Sequence, residues 1–436
     1  MANILGIVLF ALGIGITVAL HEAGHMFSAR AFGMRVRRFY IGFGPKIASF
    51  TRGHTEYGLA AFPVGGFCDI AGMTEQDDFL TEEEEPHAMY KKPAWQRVIV
   101  MAGGIMVNLF LGFVILLLIA MTAGIPNPDA DVRPRVGEVV CSAEQNQQGE
   151  FADCQGEGPA GKAGVKVGDI VVALDGKPLE SFAQLREEVF PRPGEKVQLE
   201  VERDGQHKTL EITLDSVKLL NQEGALVDAG SIGLVNQTVD TTEKHDFIGA
   251  FPATARYAGY VLDATVDGII QFPAKVPGVV ASIFGHERDV NGPMSVVGAS
   301  RVGGELVERS LWSTFFMMLA TLNFFLALFN LIPLPPFDGG HIAVIIYEKI
   351  RDAIRRLLGK EPKGPADYTA LMPITYAIAA VLMVVGALII VADVVNPIRL
   401  FGLALLLASG AGRARGAPLS GAKVVTLNPH LNSMLG

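Results

Sequence analysis

The sequence predicts a polytopic α-helical membrane protein with about four transmembrane helices, a small membrane-associated β-sheet and a compact extracytoplasmic α+β domain. Half of the 436 residues are hydrophobic and the mean hydropathy is +0.35, which is too apolar for an ordinary soluble protein. Four apolar stretches reach the roughly 20 residues that a helix needs to cross a bilayer core of ~30 Å. The net charge of −9 gives no electrostatic support to a role in nucleic-acid binding.

The first apolar stretch, residues 4–29 in a predicted first transmembrane region 1–33, is interpreted as a retained span. It lacks the basic start and the small-residue cleavage site of a signal peptide. It also contains a His-Glu-x-x-His motif. On a helix, His21 and His25 share one face and can bind one zinc ion, and Glu22 can act as a general base. Ionisable groups at membrane depth cost roughly 2.5–3.5 kcal/mol each and usually have a function.

Residues 34–96 are predicted to form a β region and loop on the cytoplasmic side of the membrane. Two short strands, 36–40 and 56–62, are separated from later segments by glycines and a proline. A small antiparallel sheet beside the first helix would have an open edge that could pair with an extended substrate backbone. A purely structural hairpin fits the sequence equally well.

The distribution of lysine and arginine predicts the orientation of the spans. The later spans are expected at 98–123, 311–333 and 371–391, within regions 97–124, 311–341 and 371–395. Basic residues cluster after the first span, before the second, and between the third and fourth: Arg30, Arg35, Arg37, Arg38, Lys46, Arg52, Lys91, Lys92, Arg97, Lys349, Arg351, Arg355, Arg356, Lys360 and Lys363. These loops are therefore predicted to be cytoplasmic, and the segment between the second and third spans extracytoplasmic.

That extracytoplasmic segment contains a predicted domain at 132–218. Ser181 is a plausible N-cap for a helix over 182–189. Alternating apolar residues on both sides of Asp204-Gly205 predict a hairpin. The pattern resembles a circularly permuted bacterial PDZ domain, a fold that binds extended chains or chain ends. A small β domain without a ligand is the alternative.

The three cysteines divide between the two sides of the membrane. Cys141 and Cys154 lie in the predicted extracytoplasmic domain, where they could form a disulfide or remain two unpaired thiols, and the disulfide is favoured. Cys68, on the cytoplasmic side, is expected to be a small apolar filler.

Two further segments are interpreted from their composition and position. Residues 245–308 are predicted to form amphipathic helices on the outer membrane surface, because Pro252, Pro273 and Pro277 interrupt one clean span. Residues 403–436 are interpreted as a disordered tail.

The third span supplies a candidate for the third zinc ligand. It ends in Asn-Leu-Ile-Pro-Leu-Pro-Pro-Phe-Asp-Gly-Gly-His, from Asn330 to His341. The prolines cannot continue a helix, and a broken backbone at membrane depth must be surrounded by protein or a water-filled cavity. Asp338 would then lie at the depth of His21 and His25. The alternatives are that Asp338 caps a helix beginning near His341, or that His341 is the ligand.

These paired motifs resemble those of the site-2 protease family of intramembrane zinc metalloproteases. Further similarities are Gly-Phe-Gly-Pro at 42–45, Pro-Val-Gly-Gly-Phe at 63–67 and Gly-Pro-Met-Ser-Val at 292–296. With one PDZ domain and four spans, the chain is similar to the actinobacterial branch that processes membrane-bound anti-sigma factors. The resemblance extends from residue 1 to about 402.

The resemblance implies a function and a set of site residues. One Zn²⁺ per chain would be held by His21, His25 and Asp338, with Glu22 as the base. The substrates would be single-pass membrane proteins in the cytoplasmic (cell) membrane, cleaved near its cytoplasmic side, and the PDZ domain would admit only pre-trimmed chains. The residues implied to hold the unwound substrate are Asn330, Val64, Gly65, Gly66 and Phe67.

The second span departs from the family pattern. The family reads Gly-Pro-x-x-Asn here, whereas this chain has Ile105 in place of proline between Gly104 and Asn108. Asn323 receives no assigned role. Two other function classes remain: a membrane-bound PDZ binding or sensor protein with a structural zinc site, and a metal transporter. Spans two and four carry almost none of the ligand residues that a transport pathway needs.

Overall fold

A computed structural model describes residues 1–398 except 131–132, 148–150, 222–224, 238–240, 287 and 290. The predicted tail, 403–436, therefore lies outside the described residues. The chain divides into two compact units. Among the described residues, the first comprises Met1–Ile125 and 244–398, and the second comprises Pro126–Glu243.

The first unit begins with helix α1, Ala2–Ala31, followed by two long strands, β1 at Val36–Arg52 and β2 at Thr55–Ile70. The predicted breaks at the glycines and proline are wrong, because both strands continue through these residues with shifts in register. Tyr40 pairs with both Gly58 and Phe67, so β2 runs along both sides of the first part of β1. Its last residues, 66–70, form one outer edge of this sheet.

Helix α2, Ala94–Thr122, follows two short 3-10 helices at Glu85–His87 and Met89–Lys91. It crosses α1 at a pair of glycines, Gly24 and Gly103. A Cβ at either position would overlap the backbone of the other helix. This close approach places the middle of α2 against the end of α1 that carries the two histidines.

The second unit is built around a four-stranded sheet and several short pairs. The elements from residue 125 to 243 are β3 (Ile125–Pro126), β4 (Val136–Val139), α3 (Pro159–Lys162), β5 (Ile170–Leu174), β6 (Lys177–Pro178), α4 (Phe182–Val189), β7 (Lys196–Arg203), β8 (Gln206–Thr213), β9 (Asp215–Leu220), β10 (Leu226–Ser231), β11 (Leu234–Asn236) and β12 (Thr242–Glu243). The sheet order is β6-β5-β7-β8. Ser181 caps α4 by accepting a hydrogen bond from the Gln184 backbone, and Asp204-Gly205 forms the turn between β7 and β8.

The predicted end of this domain at residue 218 is too early. Strand β11 returns to pair with β4, and β10 pairs with β9. The strands after residue 218 therefore belong to the same compact unit. Cys141 and Cys154 are joined by a disulfide, with their Cα atoms 5.9 Å apart.

The described part of the first unit after residue 243 contains five α-helices. They are α5 (Phe247–Ile283), α6 (Val296–Glu308), α7 (Trp312–Asn330), α8 (Asp338–Leu357) and α9 (Met372–Val395), the last preceded by a 3-10 helix at Thr369–Leu371. Helix α5 is one continuous helix of 37 residues that contains Pro252, Pro273 and Pro277. It is not among the helices of the described residues that are long and apolar enough to cross a membrane, and its place on the outer membrane surface stays a prediction.

Four helical segments among the described residues are long and apolar enough to cross a membrane. They are Ala2–Ala31, Ala94–Thr122, Trp312–Asn330 and Thr369–Val395. The number of spans and their positions follow the sequence prediction closely. Small residues let the helices approach: a Cβ on Gly6 of α1 would lie 2.8 Å from the Gly304 backbone of α6, and one on Gly112 of α2 would lie 3.0 Å from the Phe324 ring of α7.

Candidate metal centre

Helix α1 places both histidines of the motif on one buried face. His21 is 8% exposed and His25 is 5% exposed. Their spacing of one helical turn places the two rings on the same side of the helix, edge to face with their centroids 4.9 Å apart. The Nε2 atoms lie 3.2 Å apart, so both rings direct the same type of nitrogen toward one point.

Asp338 reaches the same point from the start of α8. The segment 331–337 breaks the chain after α7, and Asp338 is then the first residue of the next helix. A Cβ on Gly339 would overlap the carbonyl oxygens of Leu331 and Ile332. The glycine therefore lets the helix start pack directly on the break, which carries Asp338 to the histidines.

The three side chains form a nearly equilateral triangle. Asp338 Oδ2 lies 3.2 Å from His21 Nε2 and 3.3 Å from His25 Nε2. In a tetrahedral zinc site with ligand distances of about 2.0–2.2 Å, neighbouring ligand atoms are about 3.3–3.6 Å apart. Asp338 Oδ2 is buried and, among the described residues, has no hydrogen-bond partner. The spacing, the donor types and the unsatisfied oxygen all fit a zinc ion with one position left open.

The two alternatives for this segment do not fit the geometry. Asp338 forms no capping hydrogen bond, and Phe337 occupies the N-cap position of α8. The helix also begins at Asp338, three residues before the predicted start. His341 stacks on Tyr368 at a centroid distance of 5.5 Å. In the described chain, the ligand-type atoms that lie within 4.8 Å of one another belong to His21, His25 and Asp338.

Helix α2 supports the two imidazoles from behind. His25 Nδ1 lies 2.8 Å from the Val100 carbonyl oxygen, and His21 Nδ1 lies 3.2 Å from the Asn108 side-chain amide. Between these contacts is Gly104, where a Cβ would overlap the Nε2 atoms of both histidines. A larger residue at 104 would therefore occupy the space in front of the ligand atoms. The sequence contains the spacing Gly-x-x-x-Asn at 104–108 but gives no indication that Asn108 contacts a histidine.

Glu22 lies between the triangle and the sheet. Its carboxylate interacts electrostatically with His21, His25 and Asp338 and with the backbone of Cys68. A Cβ on Gly66 would lie 3.0 Å from the Glu22 Cγ atom. The edge of β2 therefore runs past the carboxylate that would act as the base.

The residues predicted to hold a substrate are divided between two places. Val64, Gly65, Gly66 and Phe67 lie in β2, where the Phe67 ring stacks on Tyr40 at 5.3 Å. Asn330 is the last residue of α7. Among the described residues, its side chain forms no hydrogen bond to His21, His25 or Asp338.

Residues 9–361 match peptidase family M50. The chain is 41% identical over 405 residues to zinc metalloprotease Rip1 of Mycobacterium tuberculosis, covering 92% of this chain and 100% of that protein. It is 42% identical over 403 residues to zinc metalloprotease Rip1 of Mycolicibacterium smegmatis, covering 91% and 99%.

Two more distant matches complete the comparison. Metalloprotease MmpA of Caulobacter vibrioides is 29% identical over 370 residues, which cover 78% of this chain and 85% of that protein. A solved PDZ domain of an SdrC-like protein from Listeria monocytogenes covers 25% of this chain at 14% identity. Its TM-score of 0.17 is too low to bear on the fold.

Proposed function

Since the chain belongs to peptidase family M50 and is a multi-pass zinc metalloprotease of the site-2 protease type, we propose that it cleaves the transmembrane segments of single-pass membrane proteins. His21, His25 and Asp338 are the proposed zinc ligands and Glu22 the general base. The observation that carries this proposal is the triangle of ligand atoms, 3.2–3.3 Å on each side. Residues more than 300 positions apart in the chain converge there within a bundle of apolar helices.

The proposed chemistry assigns Glu22 two proton transfers. A zinc ion, when bound, supplies Lewis-acid polarisation of the scissile carbonyl and lowers the pKa of water. Glu22 takes the proton from the attacking water and then delivers it to the leaving amide nitrogen. Its place between the histidines and the Cys68 backbone suits this role, because an attacking water and a peptide bond must meet beside the ligand triangle.

The outer edge of β2 is the proposed binding site for the unwound substrate. A peptide bond inside a transmembrane helix is shielded by hydrogen bonds of the helix, so the helix must open before cleavage. No strand other than β1 pairs with β2 in the described chain, which leaves backbone groups of 66–70 able to pair with an extended peptide. Since Gly66 abuts Glu22, the paired substrate would pass beside the base. Asn330 is proposed to contact the same substrate from the end of α7.

This binding mode predicts where a trapped substrate is captured. A photocrosslinker at position 67 should capture a substrate held by the Glu22→Gln variant. A photocrosslinker at position 50, which lies farther along β1, should not capture the substrate. Equal capture at both positions would contradict edge pairing near Glu22.

The active site is proposed to lie near the cytoplasmic side of the cell membrane, with the Pro126–Glu243 unit outside. The cluster of basic residues in the loops supports this orientation, and the disulfide between Cys141 and Cys154 is typical of an oxidising compartment. We interpret this unit as a PDZ domain that excludes substrates with untrimmed outer domains. Anti-sigma factors are the proposed substrate class.

The orientation can be tested with cysteines introduced at two exposed positions. A membrane-impermeant thiol reagent added to intact cells should modify position 167, which is 66% exposed, but not position 357, which is 86% exposed. Labelling of 357 alone would reverse the topology.

The decisive experiment for the function separates zinc binding from catalysis. Purified wild-type protein should cleave a reconstituted pre-trimmed single-pass substrate, and Glu22→Gln should reduce the rate by at least about a hundredfold, the lower range of general acid–base contributions. The zinc content should stay at one ion per chain because Glu22 is not a ligand. Glu83→Gln, a change at a 77% exposed side chain, is the matched control and should keep full activity.

Two outcomes would contradict the proposal. Cleavage by Glu22→Gln at the wild-type rate would exclude Glu22 as the base. Wild-type protein that holds zinc but cleaves no membrane substrate would favour the binding or sensor protein with a structural zinc site.

A further inference from the structure

Asn108 is a fully buried asparagine in α2, with 0% of its surface exposed. Its side-chain nitrogen lies 3.2 Å from His21 Nδ1, while its Oδ1 atom is buried and has no hydrogen-bond partner among the described residues. A buried carboxamide oxygen left unpaired costs about 1–3 kcal/mol. A rotation of the amide that exchanges its nitrogen and oxygen would therefore give the oxygen a partner if His21 Nδ1 carries a proton.

The direction of His21 decides which orientation of the amide is correct. The ring points Nε2 at Asp338 and His25, so Nε2 is the ligand atom and must be free of a proton to bind a metal. In a neutral imidazole the proton is then on Nδ1, which becomes a donor. A donor cannot bond to the amide NH₂ group, but it can bond to the amide oxygen after a 180° rotation, which changes the shape of the side chain very little.

We propose that Asn108 is a positioning residue for His21, whose Nδ1–H donates a hydrogen bond to the Asn108 Oδ1 atom. This contact would fix the tautomer and the ring orientation of the ligand. The inference rests on the proposed function, because it takes His21 Nε2 as a zinc ligand. It assigns to the asparagine of the Gly-x-x-x-Asn segment a specific chemical task, that of a hydrogen-bond acceptor.

The environment of His25 supports the same logic. Its Nδ1 atom lies 2.8 Å from the Val100 carbonyl oxygen, an acceptor that cannot be reversed. Both acceptors therefore lie on α2, on either side of Gly104. Helix α2 would thus orient both imidazoles, His25 through a backbone carbonyl and His21 through a side chain. Partners of this kind typically contribute 10–100-fold to metal affinity.

The test compares the zinc affinity of full-length variants, measured in detergent by competition with a chromophoric chelator. Asn108→Leu removes the acceptor and should weaken zinc binding about 10–100-fold. Asn108→Asp keeps an acceptor and should weaken zinc binding by less than about 10-fold, the lower limit of that range. Asn323→Leu is the matched control: Asn323 is also 0% exposed and contacts Thr17 of α1, but it touches no ligand. Its zinc affinity should equal that of the wild type.

The outcomes separate this inference from the proposed function. If His25→Ala loses zinc while Asn108→Leu binds zinc as tightly as the wild type, Asn108 has no positioning role and the ligand set stands. If His25→Ala itself keeps the wild-type affinity, the ligand assignment fails. Equal losses in Asn108→Leu and Asn108→Asp would show a packing role and overturn the inference.

A second measurement does not depend on the folding of a variant. In the ¹⁵N spectrum of zinc-loaded wild-type protein labelled at histidine, His21 should have a metal-bound Nε2 and a protonated Nδ1 that exchanges slowly with solvent. A His21 ring bound through Nδ1 would overturn the inference.

Discussion

Two carboxylates in the first unit, one buried and one half-buried, have opposite surroundings. Asp393, in α9, has a side chain that is 1% exposed, and it binds Arg288 at 2.8 Å through Oδ1. Its Oδ2 atom accepts a hydrogen bond from the Ser295 backbone at 2.7 Å. Asp338, with a side chain 19% exposed, faces two imidazoles, and its Oδ2 atom accepts no hydrogen bond from the described residues.

The difference teaches how a buried charge can be assigned a role. When both oxygens of a buried carboxylate bind protein groups, the carboxylate has little remaining capacity to bind a ligand, and its role is to stabilise the fold. A carboxylate that shares an unfilled space with two histidine nitrogens retains capacity for a ligand, which suits a metal site. The first arrangement should matter most for stability and the second for zinc binding.

The largest stability effect is expected at Asp393. Asp393→Ala leaves the Arg288 guanidinium buried without its partner, and breaking such a pair typically costs 3–5 kcal/mol. The variant should unfold at a lower denaturant concentration in detergent, while its folded fraction keeps zinc. The double variant Arg288→Met with Asp393→Leu should recover most of the loss, because it removes both charges. A loss below about 1 kcal/mol in Asp393→Ala would contradict a structural role.

A buried carboxylate in the second unit extends the comparison to a water-facing domain. Asp169 has a side chain that is 1% exposed, and Arg203 binds both of its oxygens at 2.7 and 2.6 Å. Burial opposes its ionisation, but the bonds from Arg203 and from the Lys166 backbone outweigh burial, so the pKa of Asp169 lies below its ordinary value. Like Asp393, this carboxylate is saturated by the protein.

The lowered pKa of Asp169 predicts a pH dependence with a definite sign. Its contribution to stability is complete above the unfolded-state pKa of about 3.9 and is lost as the pH falls through the lower pKa of the folded state. The free energy of opening, from hydrogen exchange at amides of β7 and β8, should fall by about 1–3 kcal/mol between pH 6 and acid, the range for bonds to charged groups. Asp169→Asn should flatten this dependence. An identical pH profile for the variant would exclude Asp169 as the cause.

The sequence predicted the four apolar helices and the convergence of His21, His25 and Asp338, because both depend on local patterns. Apolar length is enough to identify a span, and one turn of helix separates His21 from His25. Asp338 could be predicted because prolines before it force a break at the depth of the histidines.

Other features could not be predicted because they depend on contacts between distant residues. The Asp393–Arg288 pair and the pairing of β11 with β4 join segments about 100 residues apart. The β strands continue through glycines because an adjacent strand pairs with them, and helix packing outweighs the prolines of α5. Asn108 matched a motif, but only the fold places it beside His21.

The smallest stability effect, and the sharpest contrast with Asp393, is expected at Asp338. In zinc-free protein, Asp338→Ala leaves two imidazoles that can lose their protons, so no unpaired charge stays buried, whereas Asp393→Ala leaves a guanidinium that remains charged. Asp338→Ala should therefore change the free energy of unfolding by clearly less than the ~3–5 kcal/mol expected at Asp393. The same variant should lose zinc, because one of the three proposed protein ligands is missing. Denaturant unfolding of zinc-free protein and zinc titration measure the two quantities on one preparation. If Asp338→Ala destabilised the zinc-free protein as much as Asp393→Ala does, the unpaired Oδ2 atom of Asp338 would not distinguish a ligand site from a structural carboxylate.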